Sequence, residues 1–420
     1  MADARLFTNR VEVTEAVQAV QTHCLNKPLS DIIDDAGRQY VDLVMEGGGV
    51  LGIALTGYTY ILEQAGIRFL GIGGTSAGSI NALLLAALGR PADSKSEKLL
   101  PLLADIPMAS FIDGDADARD FSQAVLEKAG MLKLFWKALQ VIDNMRDELG
   151  LNPGQVFFEW LSRELQRVGI HTNADLQQNL AHIPPGLRIR PGIRDDQPLS
   201  DDEKRARLAM VAADITTETK VEFPDMARLY WSQPEQMNPA CFARASMSIP
   251  FFFHPFRVDD CPQNQGQAWR EQANYFGRLP QSVMFMDGGI MSNFPINLFH
   301  EPYRVPLAPT FGAKIGIDRN EPATIETPSQ LLGAVFTASQ HTLDNDFIRQ
   351  NPDYRHLVTT IDTGSHHWLN FSMSSEDKVD LFVRGAKAAA DFLCNFDWLA
   401  YKEIRKGIAE AFQASDRGMV

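Results

Sequence analysis

A serine between glycines is the group in this sequence most able to do chemistry. Gly74-Thr75-Ser76-Ala77-Gly78 has the form G-x-S-x-G, and it lies between a strand-like and a helix-like stretch. At such a turn a serine hydroxyl projects from the sheet edge, and the glycines relieve crowding. The N–H of Ala77 and the dipole of the following helix would face a developing oxyanion. We therefore predict that Ser76 is a nucleophile.

A glycine-rich turn lies one helix-length before that serine. Residues 47–52, with the sequence GGGVLG, could hold a pyrophosphate as a G-x-G-x-x-G motif. That function needs an acidic residue at the end of the second strand, where this chain instead carries Gly73-Gly74-Thr75-Ser76. The pattern therefore favours an oxyanion hole built from glycine N–H groups.

A serine nucleophile needs a base, and the sequence offers two kinds. A triad would need a late histidine, for which the candidates are His341, His356, His366 and His367, none of them in a distinctive motif. Asp287 is the better candidate, because it ends the apolar run 283–286 and precedes two glycines. We expect it to end a parallel strand and so to lie at the same sheet edge as Ser76. An ordinary turn-forming Asp is the structural alternative.

The three motifs together resemble the signatures of the patatin-like phospholipase family, and they occur in that family's order. The signatures are Gly47-Gly48-Gly49-Val50-Leu51-Gly52, Gly74-Thr75-Ser76-Ala77-Gly78 and Asp287-Gly288-Gly289. Weaker likeness extends to Val211-Ala212-Ala213-Asp214, Ala245-Ser246-Met247-Ser248-Ile249-Pro250 and Asn293-Phe294-Pro295. The resemblance covers roughly residues 40–300 and continues to about residue 395.

This resemblance implies a serine–aspartate dyad without a metal or a cofactor. Ser76 would be the nucleophile and Asp287 its base in the hydrolysis of phospholipids or other acyl-ester lipids through an acyl-enzyme. The implied oxyanion donors are Gly47, Gly48, Gly49 and Ala77, and the remaining motif glycines are Gly52, Gly74, Gly78, Gly288 and Gly289. Many family members carry Arg or Lys where this chain has Leu51, so backbone donors must suffice here.

Several features leave alternatives open. The same dyad could serve an acyltransferase, and a non-catalytic lipid-binding protein is a third possibility. Asp214 is expected to be a structural carboxylate at a strand end. Phe251-Phe252-Phe253 could line an acyl-chain pocket or form a buried strand.

The order of apolar runs predicts an α/β fold, with a parallel-rich sheet flanked by helices. We expect strands at 41–45 and 67–72 and helices at 53–65 and 76–88. Residues 1–39 are interpreted as an N-terminal extension and residues 40–300 as the catalytic core. Within that core we expect helical insertions over about 91–205, including an amphipathic segment at 131–149, and a polar loop at 257–282. Residues 301–420 are expected to add one strand and two helices.

Composition excludes some classes of partner and compartment. The 420 residues carry a formal net charge of −14, which argues against nucleic-acid binding. Four scattered cysteines indicate reduced thiols rather than a zinc site or a disulfide framework. No signal peptide or transmembrane segment is evident, so we expect a cytoplasmic protein with peripheral membrane contact.

Overall fold

A mixed sheet with helices around it organises the computed structural model, which describes residues 3–114, 149–194, 197–316, 322, 324–326 and 328–417. The strands are β1 (Ile32–Ile33), β2 (Gln39–Met45), β3 (Ile67–Thr75), β4 (Gly150–Asn152), β5 (Arg188–Ile189), β6 (Arg207–Asp214), β7 (Thr219–Phe223), β8 (Phe251–Phe253), β9 (Phe256–Val258), β10 (Val283–Asp287), β11 (Thr310–Ile315) and β12 (Val358–Ile361).

The α-helices of the described residues surround that sheet. They are α1 (Arg5–Thr8), α2 (Val11–His23), α3 (Gly52–Gln64), α4 (Ala77–Ala87), α5 (Ser96–Ala104), α6 (Gln155–Arg167), α7 (Asn173–Leu180), α8 (Asp201–Lys204), α9 (Ala240–Ser246), α10 (Gly266–Ala273), α11 (Pro328–Gln350), α12 (Ser375–Asn395) and α13 (Trp398–Arg417). None of these described helices is long and apolar enough to cross a bilayer.

The main sheet has the strand order β12-β11-β2-β3-β6-β10-β9, with β1 on β2 and β7 on β6. Strands β12, β11, β2, β3 and β6 are parallel to one another. Strands β7 and β10 pair with β6 in antiparallel orientation, and β9 pairs with β10 in antiparallel orientation. The predicted α/β class with a parallel-rich sheet is therefore confirmed. The unit β2-α3-β3-α4 matches the sequence prediction to within three residues at each boundary, because its apolar runs are buried and continuous.

The expectation that Asp287 ends a parallel strand is wrong. β10 pairs with β6 in antiparallel orientation, with Asp287 opposite Ala212. On the same edge β6 pairs with β3, with Val211 opposite Thr75, and β7 occupies the other edge of β6. Asp287 therefore reaches the level of Ser76 because β10 enters the sheet from the opposite direction and ends beside the last residues of β3.

The outer parts of the chain contain more regular structure than the sequence indicated. The predicted polar loop at 257–282 contains part of β9 and all of α10, whose Trp269 is fully buried. The described residues of the C-terminal region form two strands and three helices, of which β11 and α11 exceed the prediction. The N-terminal extension joins the sheet through β1, which pairs with β2. Most of the predicted amphipathic segment at 131–149 lies outside the described residues.

Helix α12 fixes the C-terminal region to the core through a close crossing with α3. A Cβ atom on Gly57 would collide with the backbone carbonyl of Phe382, and one on Gly385 with that of Ala54. The two helices therefore touch backbone to backbone at these glycines. Because α3 begins directly after the glycine turn, this contact also anchors one end of the region around Ser76.

Replacing Gly385 by Ala tests that crossing. The added methyl group would have to separate two packed backbones, so we expect Gly385→Ala to lower the free energy of unfolding by about 1–3 kcal/mol. Gly407→Ala on α13 is the matched control, because a Cβ there meets nothing within 4 Å. It should be neutral or stabilising by up to about 1 kcal/mol. Chemical denaturation measures both, and equal effects of the two substitutions would contradict the close crossing.

Candidate active site

Ser76 lies at the sharp junction between β3 and α4. Its φ of 52° and ψ of −118° are unusual for a residue with a side chain, and both its flanking glycines are needed for the turn. A Cβ atom on Gly78 would collide with the carbonyl oxygen of Met45, and one on Gly74 with the backbone of Gly78. The G-x-S-x-G spacing is therefore a packing requirement of this strand-to-helix turn.

A second serine holds this turn from the neighbouring helix. The N–H of Ser76 donates to Oγ of Ser246 (2.9 Å), and the same hydroxyl donates to the carbonyl of Val211 (2.5 Å). Ser246 thus ties the serine turn to β6. Sequence reasoning noted the segment around Ser246 only as part of the family resemblance and gave it no role.

Asp287 is buried and receives the Ser76 hydroxyl as a hydrogen-bond donor. Its Oδ1 also accepts the N–H of Gly289 (2.8 Å), and its own N–H donates to the carbonyl of Ser248 (2.8 Å). Burial raises the pKa of Asp287 to about 6, although the hydrogen bonds from Ser76 and Gly289 act in the opposite direction. The carboxylate is therefore ionised at neutral pH yet more basic than an exposed aspartate.

The glycine turn after β2 faces the same pair. Gly49 has a φ of 54°, which favours glycine, and the N–H of Gly47 donates to the carbonyl of Asn293 (3.0 Å). The N–H of Gly47 is thus engaged. Within the described parts of the chain, no hydrogen-bond acceptor is seen for the N–H groups of Gly48, Gly49 and Ala77. These three groups stay available to an incoming oxygen atom.

A pocket of about 340 Å³ brings these groups together. It is lined by Ser76, Asp287, the glycine turn and Leu51. Leu51 occupies the position at which many members of the family that the motifs resemble carry Arg or Lys. Part of its wall comes from the C-terminal region, namely Ile315, Gly316, Thr337, Gln340, Thr363, His366, His367 and Trp368. The C-terminal region is therefore part of the site and not a separate appendage.

Asp344 is a buried residue near the site that sequence reasoning missed. It accepts the Oγ–H of Ser292 (2.5 Å) and the N–H of Phe294 (2.7 Å). The residue between them, Asn293, pairs with Gly47 in both directions, since its Nδ2 donates back to the Gly47 carbonyl (3.3 Å). Asp344 thus fixes the loop that joins Asp287 to the glycine turn. No sequence signal could identify it, because it lies on α11, which was not predicted.

Among the histidines considered as triad members, those with described side chains show no hydrogen bond to Ser76 or Asp287. His366 lines the pocket, but its Nε2 contacts Oδ2 of Asp380 at 2.8 Å. His367 also lines the pocket, and burial lowers its pKa. His356 is exposed, and the side chain of His341 lies outside the described residues. The Ser76 hydroxyl is directed to Asp287 rather than to His366 or His367.

Two other expectations concern groups beside the site. Asp214 accepts hydrogen bonds from Thr216, Thr217 and Tyr230 at the end of β6, which is the structural role that was expected. Phe251–Phe253 forms β8, and its Phe252 stacks on Phe371 in the core, which favours the buried-strand interpretation. Among the described residues, no group of three or more His, Cys, Asp or Glu side chains could hold a metal ion.

Comparison with known proteins gives two findings. The family model described as "Patatin-like phospholipase" matches residues 43–300, which is more than half of the chain. A Bacillus subtilis (strain 168) protein named YqhO, described as uncharacterized, is 25% identical over 360 residues. That likeness spans 84% of this chain and 98% of the relative, so it continues beyond the end of the family match.

The buried carboxylate of Asp287 makes stability depend on pH in a defined direction. A carboxyl with a raised pKa in the folded protein stabilises it below the unfolded pKa of about 3.9, and this contribution is lost as pH rises towards 6. Asp287→Asn removes the ionisation. We therefore expect Asp287→Asn to stabilise the protein more at pH 8 than at pH 4. The gain in free energy of unfolding over the unmodified protein should be larger at pH 8 by up to about 3 kcal/mol.

Chemical denaturation between pH 4 and pH 8 measures this difference. Ser76→Ala is the comparison variant, because it keeps the buried carboxylate and removes a hydrogen bond that lowers its pKa, so its pH dependence should be at least as large as that of the unmodified protein. Asp42 and Asp344 also have pKa values raised to about 6 by burial, but they are common to all three proteins. A pH dependence unchanged by Asp287→Asn would contradict the raised pKa.

Proposed function

This chain belongs to the patatin-like phospholipase family, and from that premise we propose that it is a lipid acyl hydrolase which cleaves fatty-acyl esters at Ser76. One observation carries the proposal. The Ser76 hydroxyl donates to a buried carboxylate, that of Asp287, beside backbone N–H groups that lack an acceptor among the described residues. A nucleophile, a base and oxyanion donors in one pocket are what acyl transfer requires.

In the first half-reaction, Oγ of Ser76 attacks the carbonyl carbon of the ester while its proton passes to Asp287. The carbonyl oxygen becomes an oxyanion, and the N–H groups of Gly48, Gly49 and Ala77 stabilise it. Loss of one such donor typically costs about 3 kcal/mol. The carbon–oxygen bond to the alcohol then breaks, and the proton on Asp287 passes to the leaving alcohol. The product is an acyl group on Ser76.

In the second half-reaction, water replaces the alcohol. Asp287 takes a proton from water as the water oxygen attacks the acyl carbon, and the same glycine N–H groups hold the oxyanion. Collapse returns the proton to Ser76 and releases the fatty acid. A carboxyl with a pKa of about 6 suits both steps, because it is ionised at neutral pH and is a stronger base than an exposed aspartate.

We propose a cellular location for this enzyme from its substrate and from the state of its cysteines. An acyl-ester lipid is the proposed substrate, so peripheral contact with a membrane is required for access. All four cysteines are free thiols, which supports a reducing compartment such as the cytoplasm.

Incubation with defined lipid mixtures, followed by mass spectrometry of the products, tests the proposal. We expect release of free fatty acid and labelling of the protein by a fluorophosphonate. Ser76→Ala should abolish the labelling and lower turnover by about 10⁴-fold or more, because the nucleophile is removed. Acyl transfer to an added alcohol would favour an acyltransferase instead. Lipid binding without turnover in any mixture would contradict the hydrolase and favour a non-catalytic protein.

A further inference from the structure

Helix α11 has two polar side chains turned towards the protein and two large apolar side chains turned to solvent. Gln340 lines the pocket, and Asp344 is buried beneath it. Leu331 and Val335, by contrast, are 52% and 58% exposed. A surface helix of a globular protein normally shows the reverse arrangement. Phe347 and Ile348, nearer the end of α11, pack on the core in the usual way, so the exposed apolar face belongs to the first part of the helix.

The exposed positions form one continuous stripe. At about 100° per residue, positions 331, 335, 338 and 342 fall within roughly 60° of one another, and positions 340 and 344 lie on the opposite side. All four positions of the stripe are exposed. Ile325, just before the helix, is also half exposed at 51%. We call Ile325, Leu331, Val335 and Ala338 the apolar stripe.

The part of the stripe that lies on α11 also lacks charge. No Asp, Glu, Lys or Arg occurs between residues 328 and 343, in a chain whose net charge is −14. Anionic lipid surfaces attract basic segments, and this segment offers none. The chemistry of the stripe therefore fits the interface of a zwitterionic bilayer, where apolar side chains enter and no charge needs to be removed from water.

Most of the apolar stripe lies on the same helix as two residues of the pocket. Thr337 and Gln340, on the same helix, line the pocket that contains Ser76. A bilayer in contact with the outer face of α11 would thus lie within one helix diameter of the pocket. We propose that the apolar stripe of α11 is the surface that docks the protein on a zwitterionic lipid bilayer. This inference rests on the proposed function, because it identifies how a lipid substrate reaches Ser76.

Flotation with phosphatidylcholine vesicles tests the docking surface directly. All proteins carry Ser76→Ala for this assay, so that the vesicles stay intact. Leu331→Asp combined with Val335→Asp should reduce the vesicle-bound fraction by about tenfold or more, because two charges would have to enter the interface. The matched control is Leu399→Asp with Ile404→Asp on α13, two exposed residues that do not line the pocket. The control should bind as before.

Activity separates this inference from the proposed function. With Ser76 restored, the α11 variant should keep its rate on a water-soluble short-chain ester within about twofold and lose about tenfold or more on vesicles. Absence of soluble-ester hydrolysis in the unmodified enzyme would contradict the proposed function and leave the flotation result standing. Equal vesicle binding by the α11 variant and its control would overturn the docking surface. A halved molecular mass of the α11 variant in solution, without vesicles, would overturn it in favour of a second copy of the chain.

Discussion

A hydrogen bond between a serine hydroxyl and a carboxylate removed from water is the interaction around which the site is built. Burying the charge of Asp287 is unfavourable, and the raised pKa shows that its hydrogen bonds offset only part of this cost. The same burial raises the basicity of the carboxylate, which the proposed role of Asp287 as proton acceptor for Ser76 requires. The burial of Asp287 therefore lowers the stability of the fold at neutral pH while it raises the basicity of the carboxylate.

The surrounding structure holds the two partners of that bond at fixed positions from several sides. Ser246 accepts the N–H of Ser76, and the carbonyl of Ser248 accepts the N–H of Asp287, so a single segment of the chain fixes both. The C-terminal region supplies the other supports. Asp344 holds the loop that follows Asp287, and the carbonyl of Trp368 accepts the N–H of Val50 after the glycine turn (2.9 Å). The site therefore depends on residues beyond the end of the family match at residue 300.

Sequence alone predicted the parts of this site that rest on local rules. The strands and helices around Ser76 were predictable because they are apolar, continuous and bounded by glycines. β11 was missed because Gly312 and Lys314 interrupt its apolar character. Helix α11 was missed because its apolar residues do not mark a single face: Leu331 and Val335 are exposed, whereas Phe347 packs on the core. The antiparallel direction of β10 and the contacts of Asp344 depend on tertiary pairing, which no local pattern encodes.

The rate of fluorophosphonate labelling of Ser76 as a function of pH tests the central claim, that Asp287 alone activates this serine. Only the ionised carboxylate accepts a proton, so we predict a rate that rises with pH along a single titration with a midpoint of about 6. Asp287→Asn should lower the rate by about 10³-fold or more and remove that titration. His367→Ala, which changes another pocket residue, should keep it. A titration that survives Asp287→Asn but disappears with His367→Ala would contradict the dyad and indicate a histidine base.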